Sequence, residues 1–213
     1  MKKVILSLAV VAAVLVSCKG EKKDKVEVKE EVVVEEVVAT NNVDVDASVI
    51  TWKGEKPTGF HNGIIKLKEG SLIVNEGKLI GGDFVVDMTS MKNEDLDAES
   101  GAKLVGHLTS ADFFDVATYP TSKFVITSVE ENEGKLAVTG NLTIKDVTKS
   151  ITIPAMVSTV DGVTTFESEK FFIDRADFNV KYASKSFFDD LKDKFVNDLV
   201  EISYVVKTKG ATM

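Results

Sequence analysis

Lys135-Leu136-Ala137-Val138-Thr139-Gly140-Asn141-Leu142-Thr143-Ile144 and, a few residues on, Ser150-Ile151-Thr152-Ile153-Pro154-Ala155-Met156-Val157-Ser158 alternate apolar and polar side chains. Successive side chains of a strand point to opposite faces, so Leu136, Val138, Leu142 and Ile144 share one side of the first stretch. Ile151, Ile153, Ala155 and Val157 do the same in the second. Each reads as a strand with one buried face. Asp161-Gly162 then turns the chain into Val163 to Ile173, the kind of Gly-containing break that joins antiparallel neighbours.

Outward from this hairpin series the same texture continues. Ser48 to Lys53, Phe60 to Lys68 (closed by Glu69-Gly70), Ser71 to Asn75, Lys78 to Asp87 and Lys123 to Val129 precede it, with turns at Glu76-Gly77 and Glu133-Gly134. Leu199 to Lys207 follows, with Val200, Ile202, Tyr204 and Val206 on one face. Eight or nine strands joined mostly by short turns predict an all-β antiparallel meander. Closing it into an eight-stranded barrel removes the exposed edges. Such a barrel is wide enough for its own side chains or one slim ligand. Two segments break the pattern and predict one or two short helices. Lys103 to Asp115 reads helical or irregular, with Ser110 as N-cap for Ala111 onward. Ser186 to Val196 carries Phe187, Phe188, Leu191 and Phe195 at helical spacing.

The chain has 213 residues, 44% hydrophobic and 28% charged, which is enough for one sizeable domain and too apolar for wholesale disorder. Its net charge is −8 and no basic stripe is present, so nucleic acid is not an expected partner. The single cysteine excludes a disulfide framework and a cysteine-based zinc site, and two histidines leave little for any other metal.

Lys2-Lys3 followed by the uncharged run Val4 to Val16 has the length of a signal-peptide core, short of a comfortable membrane span. It ends in Leu15-Val16-Ser17-Cys18, which resembles a bacterial lipobox. Residues 1–17 are therefore expected to be a signal peptide, removed to leave Cys18 as a lipid-bearing N-terminus anchored to a membrane. Its removal takes Lys2 and Lys3 away and lowers the charge to −10. Lys19 after the cysteine is not an acidic inner-membrane retention signal, which favours the outer membrane, facing the periplasm of a bacterial envelope. Residues 18–42 are rich in Lys, Glu, Asp and Val, without aromatics, and are expected to be a flexible tether; a short helix or an added strand is the alternative. The barrel domain is expected at 43–213.

Certain strings are longer than a fold requires. Ile50-Thr51-Trp52-Lys53-Gly54 is followed by Gly59-Phe60-His61-Asn62-Gly63, then by Gly81-Gly82-Asp83-Phe84-Val85-Val86-Asp87-Met88. Gly106-His107-Leu108-Thr109-Ser110-Ala111-Asp112-Phe113-Phe114-Asp115 comes next, then Tyr119-Pro120 with Phe124, Gly140-Asn141-Leu142-Thr143-Ile144 with Thr148, and Asp174-Arg175 with Phe178 and Tyr182. In this order, from about Val45 to Lys207, the chain resembles the YceI-like family of polyisoprenoid-binding periplasmic proteins. The resemblance implies a lipocalin-like barrel around an apolar pore that holds an isoprenoid or similar lipophile. The departure is Cys18, since family members are often free in the periplasm.

Twelve Phe residues supply either core or pore lining. With the resemblance, the expected ligand-binding set is His61, Phe84, Phe113, Phe114, Phe124, Phe172, Phe178 and Tyr182. His61 is expected either to contact a ligand head group at the mouth, with Tyr182, or to be a satisfied half-buried histidine, and Gly63 allows close approach of backbone or ligand. His107 is expected to tie down its turn. Asp174 and Arg175 are adjacent and cannot pair, so Arg175 should meet a carboxylate elsewhere as a lock at a barrel end. Asp87 and Asp95 to Asp97 read as a solvated loop. No paired carboxylates, nucleophile elbow or phosphate loop supports catalysis, and no metal is expected. The expected role is non-catalytic binding, transport or storage of a polyisoprenoid, isoprenoid quinone or acyl chain. No cofactor beyond such a lipid is implied, and a homodimer stays open. The competing readings are a ligand-free structural or stress-response envelope protein and an enzyme using His61 or His107 as general base.

Overall fold

The computed structural model describes residues 23, 25–33, 42–132 and 134–210; the leader and Cys18 lie outside them. Among the described residues ten strands form one sheet: β1 Val28–Lys29, β2 Val43–Lys56, β3 Gly59–Asn75, β4 Lys78–Asn93, β5 Thr121–Asn132, β6 Lys135–Ile144, β7 Val147–Val160, β8 Val163–Ser168, β9 Phe171–Asp174 and β10 Leu199–Thr208. Sequential neighbours pair from β2 to β8, and β10 closes the ring by pairing with both β2 and β8. Eight antiparallel strands make the barrel, as the meander predicted, with β9 continuing β8 along β10.

The strands run longer than their alternation suggested because bulges carry them past irregular points. Glu69-Gly70, read as a turn, sits inside β3, where the register against β4 shifts between Leu67 and Glu69. An extra residue absorbed as a bulge bends the strand without ending it. At one end the barrel is finished by tight hairpins, with Gly77, Gly134 and Gly162 all at positive φ. At the other end lie the irregular segments: α1, residues 110–120 and residues 175–198.

α1 spans Ala98–Thr109, not the expected segment from Lys103 onward. Asp97 caps it by accepting from the Glu99 and Ser100 amides, and Ser110 is its C-cap, donating through Oγ and N to the His107 carbonyl. The acidic stretch at 95–97 is therefore a helix start, and the serine a stop. Ser186–Val196 forms no α-helix; only a short 3-10 turn, Lys192–Lys194, occurs there. Asp190 and Lys192 adopt left-handed φ of 60° and 48°, which no helical ladder tolerates. Ser184 and Ser186 hydroxyls instead donate to the Asp198 carboxylate at 2.9 and 2.8 Å.

Part of the expected tether is built into the barrel. After Glu169 the chain of β9 parts from β7, leaving a seam in the wall. β1 fills it: Val28 and Lys29 pair with Ile151 and Ser150 of β7, and Lys25 bridges Phe172 of β9 in parallel. The Val26 amide donates to the Phe172 carbonyl at 2.8 Å, and Lys25 Nζ reaches Asp174 at 2.9 Å. Val26 and Val28 pack on the barrel core. Within the expected spacer 18–42, residues 25–33 lie against the barrel, and Val28–Lys29 form an added strand.

Candidate functional site

The barrel core divides into a filled half and an open half. Across the middle, rings meet from several strands: Phe84 lies 5.4 Å from Phe166 and 6.3 Å from Phe124, while Tyr204 stacks at 5.9 Å on Phe171. Phe84, Phe124 and Phe166 are wholly buried. Gly140 is small for a reason, since a Cβ there would sit 2.5 Å from Phe124 Cζ. Below this aromatic floor, Val138, Ile153 and Val206 complete a packed interior.

Above the floor, toward the end that carries α1, the same strands enclose a cavity of about 360 Å³. That is at the lower end of the range for ligand sites. Its wall is aliphatic and aromatic: Ile50 and Trp52 from β2, Ile65 from β3, Val86, Met88 and Met91 from β4, Ile202 and Tyr204 from β10. These are inward-facing positions of their strands, where side chains alternate between the two faces. Gly63 faces Trp52 across β2 and β3, and a Cβ on it would meet the Lys92 carbonyl oxygen at 1.8 Å and Trp52 Cζ2 at 2.9 Å. The close approach expected there is one of backbone and indole.

The mouth is roofed by Leu104, His107 and Leu108 of α1, by Phe113 and Phe114, and by Tyr182. His107 sets its ring edge against Tyr182 at 4.4 Å, and Phe113 touches Phe114, His107 and Tyr182 at 5.1–6.0 Å. The segment bearing the two Phe is held by amide bonds from Phe113 to the Ser110 carbonyl and from Phe114 to the Leu108 carbonyl. Lys145 Nζ caps the Phe113 carbonyl at 2.9 Å. His107 thus contributes an imidazole edge to the roof, while its carbonyl serves the helix C-cap.

Arg175 sits just behind the roof, 1% exposed, with its guanidinium 5.2 Å from the Phe113 ring. It donates to the carbonyls of Val180, Val196 and Asn197 at 2.7–3.1 Å and stands 3.0 Å from Asp198 Oδ1. Burial pulls its pKa below the ordinary arginine value, against the opposing pull of Asp198 and Asp174. It is the expected lock, fastening both ends of the 179–198 loop to the barrel end.

His61 lies at the rim on β3, its Nδ1 2.8 Å from Asp95 Oδ2. Asp95 also accepts from the Asn62 amide at 2.9 Å and the Asn93 side chain at 2.6 Å. Burial alone would raise this carboxyl, but those three donors hold it below the usual aspartate range. Asp95 is therefore a tied partner of His61, not a free loop residue.

Of the expected ligand-binding residues, the structure brings His61, Phe113, Phe114 and Tyr182 together on the cavity boundary. It sets Phe84 and Phe124 in the floor, where they are packed core. Phe178 is fully buried under the 3-10 turn Arg175–Phe178, away from the wall. Phe172 turns to the other face of β9, with Lys23 Nζ 5.7 Å from its ring. The wall residues Trp52, Ile65, Met88, Met91, Ile202 and Tyr204 are missing from the expected set. Strand parity on the mouth-side half is the signal that finds all but Met91, which a register shift in β4 turns inward out of phase with Met88.

Comparison with known proteins matches residues 41–208 to the family model described as a YceI-like domain. A "UPF0312 protein" of Pseudomonas putida is 54% identical over 50 residues, covering 23% of this chain and 26% of that protein. Protein YceI of Salmonella arizonae is 47% identical over 49 residues, with the same shares. These matches span about a quarter of the length of either relative. Among solved structures, BcnA of Burkholderia cenocepacia superposes with a TM-score of 0.65 at 24% identity, covering 79% of this chain and 100% of that one. A polyisoprenoid binding domain from Saccharophagus degradans superposes at 0.58 with 15% identity, covering 79% and 97%. At these identities the likeness concerns the fold, while the family match runs through every element from β2 to β10: the chain belongs to the YceI-like domain family.

Proposed function

We propose that this protein binds one slender lipophilic molecule, a polyisoprenoid, isoprenoid quinone or acyl chain, in the open half of its barrel. The observation that carries this is the apolar cavity of about 360 Å³ between an aromatic floor and an aromatic roof. The Saccharophagus degradans protein of the same fold is a polyisoprenoid binding domain, which supports the same ligand class. Each buried methylene-sized group contributes about 0.8 kcal/mol, so a five-carbon isoprene unit contributes roughly 3–4 kcal/mol. Several such units would pass the practical affinity ceiling of about −20 kcal/mol, so chain ordering and partial burial must offset much of the gain. The role is carriage or storage, not catalysis. With Cys18 as a lipid anchor, that carriage takes place at a membrane of the bacterial envelope, on the periplasmic side. Native mass spectrometry of the purified chain, paired with analysis of a solvent extract, tests the reading. A stoichiometric, extractable lipid adduct is the expected result. A clean apo mass, with no uptake of added prenols, quinones or fatty acids, would overturn it.

A further inference from the structure

The exposed aromatic side chains gather at one end of the barrel. Among the described residues, Phe60, Tyr182, Phe187 and Phe188 are 40–51% exposed, and all four belong to the mouth end. Exposed apolar side chains toward the hairpin end, Ile80 and Val160, are aliphatic. Phe60 follows the turn between β2 and β3, and Lys53 Nζ stands 4.4 Å from its ring. Phe187 and Phe188 belong to the exposed run 185–190, with Lys181 Nζ 4.9 Å from the Phe187 ring. The base of that run is tied to the rim: the Val196 amide donates to the Ala183 carbonyl and the Asn197 amide to the Glu55 carbonyl. Residues 179–198 hold four lysines and four aspartates, a neutral segment in a chain of net charge −8. Exposed rings flanked by lysines, without net negative charge, suit the headgroup layer of a bilayer.

The N-terminal chain brings the same end to the membrane. Lys23 pairs with Glu55, the residue before β2 ends at the mouth, and its Nζ lies 5.7 Å from the Phe172 ring. Cys18 precedes Lys23 by five residues, a reach of at most about 18 Å when fully extended. From Glu55 to Val43, toward the hairpin end, β2 alone covers about 30 Å of the barrel axis once strand tilt is allowed for. A lipid on Cys18 is therefore too short a leash to set the hairpin end on the bilayer, whereas the mouth lies within its reach.

Resting on the lipid-binding reading and its Cys18 anchor, we infer that the barrel docks mouth-down on the bilayer that holds it. Phe60, Phe187 and Phe188 then sit in the headgroup layer, and the lipophile passes between bilayer and cavity without crossing bulk water.

The full chain, expressed with its leader in a bacterium and purified from the membrane fraction, would be reconstituted in phosphatidylethanolamine–phosphatidylglycerol vesicles containing a headgroup-nitroxide lipid. Asp189→Cys at the mouth end and Lys78→Cys at the hairpin end each give one free thiol for a fluorophore once Cys18 is acylated. The nitroxide should quench most of the emission at position 189 and leave that at position 78 unchanged. Phe187→Ser combined with Phe188→Ser removes only exposed rings, and should restore most of the emission at 189 while the anchor holds. Equal quenching at the two positions would overturn the docking, as would none at 189, whether the rings lie free or against a second copy. A chain recovered without lipid on Cys18 would overturn it too. Farnesol uptake by the same protein, followed by native mass spectrometry, tests the ligand reading by itself. Uptake without docking overturns the inference and leaves the carrier; docking without uptake keeps the inference and removes the carrier.

Discussion

Asn141 holds Val32 from both sides of its peptide: Oδ1 accepts from the Val32 amide at 3.0 Å, and Nδ2 donates to the Val32 carbonyl at 2.7 Å. The amide side chain stands in for the backbone of a neighbouring strand. Asn141 lies on β6, turned to the face opposite Leu142, and is 5% exposed because the chain after β1 lies over it. A residue on the outer face of a barrel is buried here by the segment that leads toward the N-terminus.

Asn141→Ala should therefore loosen the seam strand without emptying the core. Two hydrogen bonds at about 0.5–1.5 kcal/mol each set the scale of the loss. Hydrogen exchange should speed up at residues 25–33, while β6 and β7 keep their protection. Asn141→Asp keeps the acceptor but turns an oxygen on the Val32 carbonyl, so it should loosen the same segment. Unchanged exchange in Asn141→Ala would mean that Val26, Val28 and the Lys25–Asp174 pair hold the strand by themselves.

The rim should respond to acid through Asp95. Its folded-state pKa is held below the unfolded value of about 3.9, so its contribution is complete above that pH and is lost as pH falls through the lower folded value. The His61–Asp95 contact should accordingly survive mild acidification and release only below about pH 4. Asp95→Asn should remove the acid sensitivity of the β3–β4 rim, read by the pH dependence of its amide chemical shifts.

Two glycines should behave in opposite ways. Gly63→Ala places a methyl 1.8 Å from the Lys92 carbonyl oxygen, a backbone atom that cannot step aside, and 2.9 Å from Trp52. Overpacking of that kind costs about 1–3 kcal/mol or more, so the thermal midpoint should fall by several degrees. Gly106 lies exposed in α1, and a methyl added to it would meet nothing within 4 Å. Gly106→Ala should raise stability by about 0.4–1 kcal/mol, because it restricts the unfolded chain and suits a helix. Equal effects from the two substitutions would contradict this packing around Trp52.

Much of this architecture is legible in the sequence because a strand's alternation is a local property. Leu136 to Ile144 and Ile151 to Val157 announce their inward faces with no knowledge of neighbours. What stays hidden depends on partners distant in sequence. Whether Phe84 or Trp52 faces a void is decided by how far the rings of Phe124, Phe166 and Tyr204 reach across the barrel, and no single strand encodes that. Ser186 to Val196 has helical spacing, yet Asp198 draws in Ser184 and Ser186, and left-handed turns replace the helix. The charged, low-complexity run from Lys25 looks like a spacer because it has no core of its own; the seam between β7 and β9 supplies one.

The lock behind the roof should be the most costly single site to disturb. Arg175 is a buried cation with three carbonyl acceptors and one carboxylate, and Asp198 in return receives two serine hydroxyls. Arg175→Met strips the positive charge from a carboxylate that is only 15% exposed and frees three carbonyls, a change that typically costs about 3–5 kcal/mol. Arg175→Lys retains charge, but one ammonium cannot span Val180, Val196 and Asn197 as the planar fork does, so it should recover only part of the loss. The double variant Arg175→Met with Asp198→Leu removes both charges, and should be more stable than Arg175→Met alone if the ion pair, and not the carbonyl bonds, dominates. Denaturant unfolding of the three variants separates these contributions, and lipid uptake measured beside it asks whether the roof at Phe113 still closes once its cation is gone. A single Arg175→Met that unfolds like the parent would show that the 179–198 loop is held by its serine–Asp198 bonds without help from the guanidinium.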